Sequence, residues 1–149
     1  MIFKWNGKNF LNDLTNKLND KIEEASELVK QYMKESLTPN KHGRHYNEKS
    51  NRSSAINEAP ASQTGGLFNS IKVNIFPSEL KGEIGSSSNY AINLEFGIWS
   101  TKAKKFWKEP DEGFEAGVAP RPFLRPALEK SIADIKRIFK TDTVIVKWL

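Results

Sequence analysis

The chain is 149 residues long, carries a formal net charge of +5 and contains no cysteine. That length suits one domain, which buries roughly 68–70% of the surface its unfolded form exposes and needs no metal or disulfide staple. The missing cysteine excludes disulfide scaffolds, thiolate metal sites, iron–sulfur clusters and cysteine nucleophiles, and it is compatible with a reducing compartment.

The N-terminus MIFKWNGKNF has neither the apolar core nor the small-residue cleavage site of a signal peptide, so secretion by that route is not expected. From about Phe10 to Leu37, apolar side chains fall at Leu11, Leu14, Leu18, Ile22, Ala25, Val29 and Tyr32, in steps of three and four. This spacing predicts a long amphipathic helix over 10–37, with Thr38-Pro39 ending it. Docking on a sheet of the same domain is the expected use of the stripe, with a coiled-coil seam as the alternative.

Residues 38–66 form a basic loop rich in Asn, Ser, Gly and Pro, read as an interaction arm or mobile insertion because of its length. His42 and His45 lie in it at i,i+3, and without a carboxylate partner in the sequence they read as solvated side chains rather than a metal pair or catalytic imidazole. Thr64-Gly65-Gly66 then opens a short helical turn at Leu67–Ser70 with Thr64 as cap. Three strands are expected up to residue 96. Ile71, Val73 and Ile75 share a face of the first, Leu80, Gly82 and Ile84 lie on the second, and Tyr90, Ile92, Leu94 and Phe96 alternate along the third.

Residues 97–119 form an insertion holding Trp99, Phe106 and Trp107 among four lysines and four acids. Those aromatics either fold back on their own sheet or anchor another subunit, since interface cores favour Trp and Phe. Pro120 and Pro122 hold an extended approach to a second helix over 123–140, where Pro126 suits the first turn. Leu128, Ile132, Ile135 and Phe139 make its apolar stripe, while Lys136, Arg137 and Lys140 complement the C-terminal end of the helix dipole. Val144-Ile145-Val146 in 143–148 reads as an edge strand or as a tail that pairs with a neighbour. The fold class is therefore α+β: two helices packed on a small antiparallel β-sheet, with two long loop insertions.

No phosphate loop, dinucleotide fingerprint, HExxH helix or GxSxG elbow is present, and no cofactor or metal is implied. Glu95 is the one carboxylate in the apolar 90–96 run. A general acid or base is one reading of it, and a charge-assisted pair with Arg121 or Arg125 is the preferred one. The basic surplus sits in 120–149, at +4, but acids interrupt every basic run, which argues against a dedicated nucleic-acid footprint.

Three motifs occur in order: Glu58-Ala59-Pro60-Ala61 followed by Thr64-Gly65-Gly66-Leu67 and Ser70-Ile71; Tyr90-Ala91 with Leu94-Glu95-Phe96-Gly97; and Ala119-Pro120-Arg121-Pro122-Phe123-Leu124-Arg125-Pro126-Ala127-Leu128. Over roughly residues 10–140 the chain resembles the head-tail joining (neck, or tail-completion) proteins of long-tailed bacteriophages. It departs from their pattern in the insertion 98–118, in Ile98 where a Thr is usual, and in Asn57-Glu58 where Gly-Glu is usual. The resemblance implies a structural virion protein without enzymatic activity, made in the host cytoplasm. It would assemble as a ring, commonly of six copies, between the connector or adaptor and the tail tube or terminator, and DNA would pass through the lumen without sequence recognition.

Subunit-interface candidates on this reading are Leu94, Glu95, Phe96, Trp99, Trp107, Arg121, Phe123 and Arg125, and DNA-facing candidates are Lys136, Arg137 and Lys140. A tail terminator or minor tail protein is the neighbouring alternative. A small DNA-binding accessory protein using the C-terminal cations is a more distant one, and a small hydrolase or nuclease built on His42 and His45 is the third.

Overall fold

The computed structural model describes residues 6–39, 41–43, 52–62, 64–99 and 117–140. Asn6 opens the first helix, α1 (Gly7–Ser36), by accepting the Asn9 N–H on its side chain, which satisfies one of the amides that a helix start leaves without a partner. The helix stops at Leu37, whose N–H returns to the Lys34 carbonyl one residue before the Thr38-Pro39 break. At ~1.5 Å per residue, its thirty residues make a rod of about 45 Å.

A short helix α2 (Gly66–Ser70) leads into a hairpin of β1 (Ile71–Phe76) and β2 (Lys81–Ser86), paired antiparallel with Ile71 opposite Ser86 and Val73 opposite Ile84. Gly65, in the left-handed region at φ 74°, caps α2, while Thr64 Oγ1 accepts the Gly66 N–H at 3.4 Å. Leu80, expected on the second strand, instead occupies the turn at φ 49° after a single 3-10 turn (Pro77–Glu79). The hairpin backs onto α1 where Gly82 meets Ser26. A Cβ at position 82 would collide with the Ser26 hydroxyl, so this glycine sets how closely strand and helix approach.

The expected third strand is a helix, α3 (Ala91–Phe96). Six residues do not separate a period of 2 from one of 3.6, and the helical arrangement turns Ala91, Leu94 and Glu95 inward while placing Ile92 and Phe96 together on the outside. Gly97 at φ 76° ends α3, and a Cβ there would lie 2.8 Å from the Val118 carbonyl oxygen. The chain then enters β3 (Ile98–Trp99), which pairs antiparallel with β4 (Gly117–Val118) and clamps the base of the insertion with a two-residue ladder. Most of the insertion, with Trp107, and the Val144–Val146 run lie outside the described residues.

The last helix, α4 (Leu124–Lys140), runs antiparallel to α1: Tyr32 Oη donates to Asp134 Oδ2 at 2.9 Å, and Lys21 Nζ donates to the Ile138 carbonyl at 2.6 Å. Its docked face is not the expected Leu128–Ile132–Ile135–Phe139 stripe. Ala127 and Ser131 are buried against α1 and Ile135 packs on the core, whereas Leu128, Ile132 and Phe139 are 43%, 44% and 42% exposed. Small side chains let the two helices approach closely, and that rotates the bulky positions outward. The core joins Val29, Met33 and Leu37 of α1 and its C-cap to Leu67, Ile71, Ala91, Phe123 and Ala127. The architecture is α+β, with long N-terminal and C-terminal helices against a two-stranded antiparallel hairpin.

Candidate assembly interface

Residues of all three sequence motifs, up to seventy positions apart, share the core around Leu67, Ile71, Ala91, Phe123 and Ala127, and the second and third motifs meet at a corner where α3 faces the start of α4. Glu95 organises it. Its Oε2 accepts the backbone N–H groups of Phe123 and Leu124 at 2.8 and 2.9 Å, and its Oε1 accepts that of Arg125 at 2.9 Å. A helix start presents unpartnered amides and the positive end of the macrodipole, so a carboxylate supplied from another helix caps it in both senses. The groups that hold Glu95 are thus the backbone amide just before α4 and the first two amides of that helix. The Arg125 guanidinium, one of the two arginines expected to pair with it, lies over the Phe96 ring at 5.9 Å.

Arg121 ties the corner to the loop. Its backbone N–H donates to the Leu94 carbonyl at 2.6 Å, its Nε donates to the Ser54 carbonyl at 3.3 Å, and its Nη1 donates to the Ala119 carbonyl at 3.2 Å. Asn57, at φ 62°, adds an N–H bond to the Pro120 carbonyl at 3.0 Å. The described part of the loop is therefore fastened to the body. Glu58 fastens it internally: its Oε2 accepts the N–H groups of Ala55 and His42, and its Oε1 lies 2.8 Å from His42 Nδ1.

Burial raises the Glu58 pKa, but the Ala55 and His42 amides and the His42 ring outweigh it and lower the value to about 2. The expectation of a histidine without a carboxylate neighbour is corrected here for His42, because the acid sixteen residues downstream folds back onto it. His45 lies outside the described residues.

The expected interface residues separate by burial. Phe123 is 2% exposed and belongs to the core, and Leu94 packs half-buried against that core. Glu95 and Arg121 serve the corner's internal bonding. Phe96 and Arg125 face outward, joined by Ile92, which the strand reading had placed on the same apolar face but which was not singled out for contact. For Trp99 only the backbone pairing to Gly117 is described, and Trp107 is outside the described residues.

Lys136, Arg137 and Lys140 lie on the exposed side of the last turns of α4, with Arg137 Nη1 3.0 Å from Asp134 Oδ1. The Tyr32 hydroxyl has a raised pKa because its hydrogen bond to Asp134 favours the protonated form.

Beside α1 lies an open cleft of about 610 Å³ whose lining includes Glu24, Glu27, Lys30, Lys34 and Phe68. Lys30 bonds both Glu27 oxygens there, and the Lys34 ammonium sits 4.6 Å from the centre of the Phe68 ring. Among the described residues, no group of three or more His, Asp or Glu is placed to hold a metal ion, and no helix is long and apolar enough to cross a membrane. Compared with known proteins, the chain matches no family model, no curated protein and no solved structure.

Proposed function

We propose that this chain is a structural component of a tailed-phage virion, a neck or tail-completion subunit that assembles with copies of itself into a ring, of six by analogy, through which DNA passes. The observation that carries this reading is that the three family-like motifs share one core, around Leu67, Ile71, Ala91, Phe123 and Ala127. Glu58 braces the loop that Asn57 and Arg121 tie to Pro120 and Leu94, and Glu95 caps the helix begun by the Pro-Phe-Leu-Arg-Pro segment. Residues spread over the sequence are used together to build one rigid corner, which is what a motif set describing a single fold would do.

A second feature supports a role in surfaces. Of the side chains left outward at this corner, Ile92 and Phe96 are apolar, at 64% and 65% exposure, and the Arg125 guanidinium lies over Phe96. Apolar groups concentrated beside a rigid corner mark an interaction site rather than ordinary surface. Its partners would be further copies, a connector or adaptor on one side, and a tail tube or terminator on the other; a tail terminator or minor tail protein remains the neighbouring assignment.

The test is negative-stain microscopy of the purified protein, alone and mixed with tail tubes. Rings, or tubes capped by a ring, are expected. Bare tubes together with isolated subunits at every mixing ratio would contradict the proposal.

A further inference from the structure

The two long helices do not end together. Tyr32 Oη reaches Asp134 and Lys21 Nζ reaches the Ile138 carbonyl in the last turn of α4, so α4 runs toward the start of α1 and stops while α1 goes on. From Lys21 back to Gly7 the first helix continues for about 21 Å at ~1.5 Å per residue. That length carries Phe10 and Leu11, 43% and 61% exposed, and the half-buried Leu14 and Leu18.

The side of α1 that holds α4 is also the side these leucines occupy. Leu14 lies about five turns before Tyr32 and about two before Lys21, at ~3.6 residues per turn, so it points the way those two do. Leu28, about two turns beyond Lys21, lines a cleft together with Ile138 and marks the same side. Leu11 and Leu18 flank Leu14 at steps of three and four. The face that docks α4 therefore continues past the end of α4 as a row of leucines. Phe139, 42% exposed, lies one residue before that end.

We propose that residues 141–149 of the same chain dock along this stretch and extend the α1–α4 contact toward Gly7. The segment leaves α4 at Lys140, close to Lys21 and headed along the row. Its nine residues reach about 30 Å at ~3.3 Å per residue, enough to run its full length. Five of them are large and apolar: Val144, Ile145, Val146, Trp148 and Leu149. Tethering holds them at high effective concentration beside the row, an advantage that no separate molecule has.

Charge is balanced on both sides, with Lys8 and Lys17 against Asp13 and Asp20 on α1 and Lys147 against Asp142 on the segment. Removal of apolar surface from water is therefore what drives the contact. Met1, Ile2, Phe3 and Trp5 are apolar too, but they precede α1 and would have to turn back past the Asn6 cap to reach Leu14. The contact belongs to the single subunit, so it stands apart from the ring reading.

The test places cysteine pairs in the full-length chain, which has none of its own. Leu11→Cys with Ile145→Cys spans the proposed contact. Asn16→Cys with Ile145→Cys is the control, because Asn16 is exposed and turned away from the row. Both are checked for native helix content by circular dichroism, treated in dilute solution with a short bismaleimide, and read by denaturing gel and mass spectrometry. The first pair should cross-link within the chain at least tenfold faster than the control. Equal rates would overturn the proposal. Cross-linked dimers of the first pair, growing with concentration, would overturn it in favour of the same segment from a second copy.

A second measurement needs no cysteine. Trypsin should cut after Lys147 at least tenfold faster in Leu11→Asp than in the wild type, with cleavage after Lys81 in the hairpin unchanged. Equal cleavage after Lys147 in the two proteins would overturn the proposal and leave the row to residues 1–5.

Discussion

Replacing Glu95 by alanine should release the start of α4. The carboxylate accepts three main-chain N–H groups at 2.8–2.9 Å, so the substitution orphans three donors at once. Losing a helix cap costs about 1 kcal/mol, and losing a negative charge at the helix start adds about 0.3–1 kcal/mol. The Phe123 and Leu124 amides, which are only partly open to water, raise the total to about 2–4 kcal/mol. Glu95→Gln keeps the shape and one acceptor oxygen, and should cost about half as much.

Urea denaturation followed by circular dichroism reads this directly. With a slope near ~2 kcal/mol per molar, the alanine variant's midpoint should fall by about 1–2 M at unchanged slope. A midpoint within about 0.2 M of wild type, or equal losses for the alanine and glutamine variants, would refute the capping role.

Four further outcomes follow. Phe123→Ala should cost about 3–5 kcal/mol in the same assay, because the ring is 2% exposed within the core; a loss below about 1 kcal/mol would place Phe123 at a subunit contact instead. Ser131→Leu should destabilise by about 1–3 kcal/mol by forcing α1 and α4 apart, and a neutral result would contradict the close crossing. Gly97→Ala, at φ 76° and facing the Val118 carbonyl, should lose about 1–3 kcal/mol of stability, measured as a lowered melting temperature.

Glu58 has a folded pKa of about 2 against an ordinary 4.5, so between those values the unfolded chain binds the extra proton. Its stabilisation is complete above pH 4.5 and gone once pH falls through about 2. The exposed His42 partner screens the interaction, which leaves about 1–2 kcal/mol, and Glu58→Gln should flatten that part of the stability profile.

How far the sequence could be read depends on the distance over which each feature is determined. The α1 rod was legible because seven apolar positions in steps of three and four repeat over many turns. The β1–β2 hairpin was legible from the alternation of Ile71, Val73 and Ile75 and from the turn at Pro77. By contrast, α3 spans six residues, too few for period alone to separate strand from helix. On α4 the stripe of bulky residues pointed to one face, yet the helix docks through Ala127 and Ser131, whose small size permits a close crossing but carries no hydrophobic signal.

At the candidate interface, Phe96 and Arg125 were visible as residues of interest, but their outward placement depends on Glu95 reaching α4 nearly thirty residues later. The bond from Glu58 to His42 is likewise non-local, and proximity in the fold, not spacing in the chain, creates it. The exposure of Ile92 and Phe96 follows from the helical α3, and that of Leu128 and Ile132 from the rotated α4.

Native mass spectrometry of the protein released from tail tubes it has capped tests the central claim most directly. A single closed oligomer near six copies, with no higher series, is the predicted result, whereas release as monomers alone, or as an open-ended ladder of sizes, would contradict it.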